Sequence, residues 1–227
     1  KAWEIPETAR QSKGQALVNL LNLEQGELVL SILAMDEKKN QNLIMATAKG
    51  TVKKTASRQF QNLRSNGLIA IRLAKEDSLV SVHPTSGKDH VLLVSRNGKS
   101  IRFPEANVRP MGRATKGVRG IRLEQGDRVI AMEVFSEKQT RPKDKRRKVF
   151  RDILTISENG LGKRTKIHLF PSQRRGGKGL KAAAVNDKTG KLTAAIMVTQ
   201  KIEQIIITSL SGQVIKIPLK NIPQLGR

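Results

Sequence analysis

The chain has 227 residues, with 43 Lys+Arg against 19 Asp+Glu, a net charge of +24 and a pI near 10.9. A chain so basic implies a partner whose negative charge is dense and extended, with duplex nucleic acid first and an anionic membrane surface second. Its 37% hydrophobic residues suffice for a core, while the absence of Cys and Tyr excludes disulfides, cysteine-ligated metals and phosphotyrosyl chemistry within this sequence.

The few aromatics (Trp3, Phe60, Phe103, Phe135, Phe150, Phe170) argue against folds that stack single-stranded bases on aromatic platforms. No apolar run approaches the roughly 20 residues of a membrane span, and Lys1-Ala2-Trp3-Glu4 lacks the apolar core of a signal peptide. The expectation is a fragment of a longer protein from a reducing cytoplasm.

In chain order, strand-length apolar runs fall at 43–46, 68–73, 91–94, 118–123, 129–134, 153–156, 196–198, 205–207 and 214–217, punctuated by Gly, Asn, Asp, Ser or Pro. A phrase of apolar strand, x-x-Gly and a basic or apolar continuation recurs at Gly50, Gly98, Gly160 and Gly212, spaced 48, 62 and 52 residues apart. Residues 137–149, rich in Pro, Lys and Arg, account for the long interval as a solvated insertion. A second phrase recurs at Gly14 (SKGQALVNL), Gly67 (SNGLIAIRL), Gly117 (TKGVRGIRL) and Gly179 (GKGLKAAAV), and a polar turn and a further strand follow it. Residues 16–23 alone could pass for a short helix; their counterpart 68–73 alternates like a strand, and both are assigned as strands. Each unit then offers about four short strands in about fifty residues, the size of a propeller blade. The units run approximately 1–41 (partial), 42–89, 90–150, 151–203 and 204–227 (partial). The fold class is therefore an all-β, propeller-like array of four-stranded blades, thin enough for Ile, Val and Leu to fill the space between neighbours.

Between Asn159 and Lys181 stand seven basic residues (Lys163, Arg164, Lys166, Arg174, Arg175, Lys178, Lys181) and no acidic one. At the centre, Gln173-Arg174-Arg175-Gly176-Gly177-Lys178-Gly179 combines cations with glycines. Glycine lets backbone approach a phosphate without a Cβ in the way, successive amides there can form an anion-binding nest, and Arg adds a planar fork. The bland alternative is a solvated basic turn. Cations recur in the sister loops (Arg10, Lys13, Arg58, Arg64, Arg109, Arg113, Lys116), which points to a shared basic rim. Lys53, Lys54 and Arg102, trailing the hairpin glycines, join the candidate set.

This combination resembles the C-terminal DNA-wrapping domain of the DNA gyrase A protein. The carrying residues are QRRGGKG at 173–179, matching that family's heptapeptide box, and the blade phrases MATAKGTVKKT (45–55), RATKGVRGIRLEQGD (113–127) and ENGLGKRT (158–165). The blade phrases are shared with the A-type component of topoisomerase IV; the likeness covers all but 137–149. It implies a β-pinwheel whose blades trade strands, duplex DNA bent round the perimeter, and no catalytic group in this domain. It further implies a catalytic tyrosine in an N-terminal region of the same polypeptide, a separate ATPase polypeptide as partner in an A2B2 assembly, ATP and Mg in the full enzyme only, and a bacterial, nucleoid-associated cytoplasmic setting. In the family the most faithful box lies on the first blade, whereas here it lies in the fourth visible unit.

The three histidines, His83, His90 and His168, lack metal-ligand spacing, and the carboxylates (Glu76 with Asp77, Glu124 with Asp127) sit singly at turns before strands. No GxxxxGK[ST] phosphate loop is present. The run 141–148 reads as a flexible basic insertion, with a nuclear-localisation signal as the other reading, and Trp3 as a blade-edge packing residue. A protein–protein scaffold would want mixed charge and aromatic anchors, and a structured-RNA protein fits the charge without fitting the four-strand repeats.

Overall fold

In the computed structural model, which describes residues 7–9, 26–27, 29–33, 41–62, 67–136, 151–209 and 211–227, every regular element apart from short 3-10 turns is a strand. The first glycine phrase makes a hairpin each time. Strands β1 (Asn42–Thr47) and β2 (Thr51–Ala56) turn at Gly50, and β4 (Asp89–Ser95) and β5 (Lys99–Pro104) turn at Gly98. Strands β8 (Arg151–Ser157) and β9 (Gly162–Lys166) turn at Gly160, and β12 (Gln204–Thr208) and β13 (Val214–Pro218) at Gly212. All four turn glycines have φ between 76° and 82°, where a side chain would be strained.

The strand that ends each repeat returns to its own hairpin: β3 (Leu79–Thr85) pairs with β1, β7 (Val129–Ser136) with β4, and β11 (Leu192–Thr199) with β8, all antiparallel. The opposite edge comes from the following repeat. Strand β6 (Val118–Arg119) pairs with β2, and β10 (Leu180–Lys181) with β5, giving sheet orders β3-β1-β2-β6 and β10-β5-β4-β7. Blades therefore trade an outer strand with their neighbour, as the pinwheel resemblance implied. Strand β7 packs on β3 at one flank and β11 at the other, so these edges gather at the middle and β6 and β10 lie on the perimeter.

The second phrase corrects the sequence reading. The expected strand at 118–123 shortens to Val118–Arg119, and 68–73 forms no strand. The expected strand at 16–23, Trp3 and the insertion 137–149 lie outside the described residues.

Burial on both faces explains the unbroken apolar runs. On β4, Val91 and Leu93 join Ile44, Val52, Phe103, Ile121 and Met132 in one inter-sheet layer. Leu92 and Val94 face the other way, against Phe135, Ile153, Ile167 and Phe170. A third layer joins Leu154 and Val198 to Leu219 and Ile222. The two-stranded sheet β12-β13 is covered less: Ile206 is 67% exposed, whereas Leu154, 52 residues earlier, is 2% exposed.

Candidate nucleic-acid interface

The repeat sorts its cations into two populations. Lys54, Arg102 and Arg164 stand 48 and 62 residues apart, at one position of successive hairpins, and each reaches into the next repeat. Lys54 Nζ donates to Glu105 O at 3.0 Å and lies 3.2 Å from Glu105 Oε2. Arg102 Nη1 donates to Phe170 O at 3.1 Å, its Nε lies 3.4 Å from His90 Nδ1, and its guanidinium stacks 5.3 Å from the Phe135 ring centre. Arg164 Nε donates to Ile222 O at 2.9 Å, with Nη1 3.5 Å from Asp152 Oδ2. Lys53 is fully buried and donates through Nζ to Ala70 O and Arg113 O. Burial, then the Arg113 charge, lowers its pKa to about 8.

These contacts correct the candidate set. Lys53, Lys54 and Arg102 are buried, and they hold one repeat to the next rather than facing a ligand. Arg164, half-buried, does the same work. Lys163 is half-buried with Nζ on Gly226 O at 2.5 Å, and burial, then Lys181, lowers its pKa.

The glycine-rich heptapeptide lies at the perimeter, leading into β10. Gln173 N donates to Arg102 O at 2.7 Å, which carries the loop on from β5. Gly176 N donates to Gly120 O at 2.6 Å, and Gly177 O accepts from Arg122 N at 2.8 Å. Gly179, at φ 71°, presses on β5 so closely that a Cβ would stand 2.5 Å from Ser100 O. Gly177 carries no such constraint, since its φ is not positive and a Cβ there would meet nothing closer than 3.6 Å. Arg174 and Lys178 are exposed, whereas Arg175 is half-buried and bonded to carbonyls of the preceding repeat.

The sister loop brings Arg109 and Lys116 to the surface, with Arg113 half-buried; Lys166 and Arg58 are exposed on the 3-10 turns and strand ends. Arg10, Lys13 and Arg64 lie outside the described residues. The structure adds Arg119, at the end of β6, and the exposed pair Arg72 and Arg122, whose backbone N–H groups bond the two loops at Thr115 O and Gly177 O. That pair was legible in the sequence, because IRL closes the second glycine phrase at both places.

The inner edge is drier. Burial pushes the Glu133 carboxyl up to about 7 and holds His83 below its usual value. His90 is buried beside Arg102, and the described residues contain no group of His, Cys, Asp and Glu that could hold a metal ion. Among them no helix is long and apolar enough to cross a membrane.

Hairpin repeats that exchange outer strands around a common middle define the β-pinwheel, a propeller-like class. The family model described as DNA gyrase C-terminal domain, beta-propeller, matches residues 1–34, 41–86, 89–136, 151–199 and 203–227, and the chain belongs to that family. It is 34% identical over 229 residues to the DNA gyrase A protein of Staphylococcus aureus strain MRSA252, covering all of this chain and 25% of that one; it thus spans about a quarter of the curated relatives it matches. Among solved structures, a DNA gyrase A C-terminal domain aligns with TM-score 0.77 at 25% identity over 95% of this chain and 69% of that one. The C-terminal domain of a DNA topoisomerase IV gives TM-score 0.80 at 22% identity over 94% and 65%.

Proposed function

We propose that this domain binds duplex DNA along its outer perimeter and bends it, serving a type IIA topoisomerase without a catalytic group of its own. The observation that carries this is the sorting of charge. One set of cations is folded inward as inter-repeat ties, and another, Arg109, Lys116, Arg119, Arg122, Arg174 and Lys178, stays exposed on perimeter loops and strand ends. Lys/Arg contacts to phosphates are sequence-independent and offset the cost of curving a stiff duplex. Relatives named as DNA gyrase A proteins support a place for the domain in a topoisomerase; the ATP, Mg, catalytic tyrosine and ATPase partner of such an enzyme, and its bacterial cytoplasmic setting, belong to this proposal by resemblance.

The test is binding of the whole chain to duplex DNA across a salt series. Some ten phosphate contacts give a slope of log K against log[salt] near −9, at about −0.9 per contact. A slope shallower than about −3 contradicts the reading. Preference for structured RNA over duplex at moderate salt would also contradict it.

A further inference from the structure

Two adjacent arginines of the heptapeptide are used differently by the fold. Arg174 is exposed. Arg175 sends Nε to Asn107 O at 2.8 Å and Nη1 to Arg119 O at 3.1 Å. Asn107 ends the 3-10 turn Glu105–Asn107 that follows β5, and Arg119 ends β6, so one guanidinium ties the loop to two separate elements of the preceding repeat. The sister loop is tied to the same place by other means. There Gln59, 48 residues before Asn107, accepts from Arg113 N at 3.1 Å, and Lys53 Nζ holds Arg113 O from beneath. Ile101 occupies the Lys53 position beneath 173–179 and can donate nothing, so Arg175 supplies the missing tie.

We propose that Arg175 is a positioning residue: its guanidinium clamps the 173–179 loop to the preceding repeat and so fixes the angle at which Arg174, Gly177 and Lys178 meet DNA, with no phosphate contact of its own. This rests on the DNA-bending reading above. A bent duplex pushes back against whatever holds it. A loop free to swing still touches phosphates and yet lets the duplex straighten. A planar fork spans two carbonyls, whereas a Lys ammonium is a point charge.

Arg175→Lys therefore separates clamp from contact, with Arg174→Lys and Arg174→Ala alongside. Without DNA, amide exchange at Gly176 and Arg122 should speed up about ten-fold or more in Arg175→Lys and stay unchanged in both Arg174 variants. With DNA, Arg175→Lys should keep the wild-type salt slope within about half a unit, and Arg174→Ala should lose about one unit. End-to-end energy transfer across a duplex of roughly 100 base pairs, shorter than one persistence length, should fall toward the unbent value in Arg175→Lys and persist in Arg174→Lys. Unchanged exchange, or normal bending in Arg175→Lys, overturns the clamp. If the wild-type chain fails to bend DNA, the functional reading fails and amide exchange alone decides the clamp. Arg175→Gln, which can still reach one carbonyl, carries the same exchange readout should the Lys variant melt early.

Discussion

The loops 111–117 and 173–179 are 62 residues apart and share a frame, yet they differ in the middle. Met111 N and Gln173 N each donate at 2.7 Å to the strand beside them, at Lys54 O and Arg102 O. Thr115 O and Gly177 O each accept from an arginine amide, of Arg72 and Arg122. Both loops end on a positive-φ glycine whose Cβ would collide with a strand carbonyl, Gly117 with Val52 O at 2.6 Å and Gly179 with Ser100 O at 2.5 Å. Between these points Gly112 faces Arg174, Ala114 faces Gly176 and Thr115 faces Gly177. Thr115 closes its loop with Oγ1 on Gly112 O at 3.0 Å, a bond Gly177 cannot make. The ends therefore belong to the fold, as do Arg175 and Gly176 in the middle of 173–179, while Arg174 and Lys178 stay exposed.

The sharpest way to break this comparison is at the shared ends. Gly117→Ala and Gly179→Ala should each cost about 3 kcal/mol or more, because the carbonyl they meet is backbone and positive φ adds strain. Thermal unfolding should show losses on the order of 10 °C for a chain of this size. A loss in only one of them would mean that the two loop ends are not equivalent.

The anchors come next. Lys53, which holds loop 111–117, has a folded pKa of about 8 against an ordinary 10.5. Between those values the unfolded chain binds the extra proton, so stability from this group rises with pH across that window. The rise should be of order 1–3 kcal/mol, and denaturant titrations of Lys53→Met should lack it. Ile101 occupies the equivalent place in the other blade and contributes no such dependence.

Smaller effects are expected from the exposed middle of 173–179. Arg174→Ala combined with Lys178→Ala should reduce the salt slope by about 2 units while the domain melts where the wild type does. Gly177→Ala should move stability least, by less than about 0.5 kcal/mol, since Thr is accommodated at the sister position. Bending should still decline, from the Cβ placed where a phosphate approaches. A large stability loss in Gly177→Ala would mean that the fold, not the ligand, requires that glycine.

The repeat phase, the hairpin glycines and the basic perimeter were legible in the sequence, because each is a local pattern that recurs. Lys54, Arg102 and Arg164 were not, although they too recur at one position. A lysine in TVKKTA reads as a rim cation until its acceptor is known, and that acceptor, Glu105, lies 51 residues away. Arg175 was hidden for the same reason, since Asn107 O and Arg119 O become its neighbours only through exchanged strands. The shortness of β6 and β10 was likewise out of reach, as ladder length depends on the edge that receives the strand.

The measurement that bears most directly on the central claim replaces the 173–179 sequence by that of 111–117 within the whole chain. Residues 173–179 are rewritten as Met-Gly-Arg-Ala-Thr-Lys-Gly, and end-to-end energy transfer is read on a bound duplex of roughly 100 base pairs. The expected result is a folded domain that still binds DNA through its other cations and leaves the duplex nearly straight. Wild-type bending by the rewritten chain would contradict the account, because the heptapeptide would then be one more basic turn.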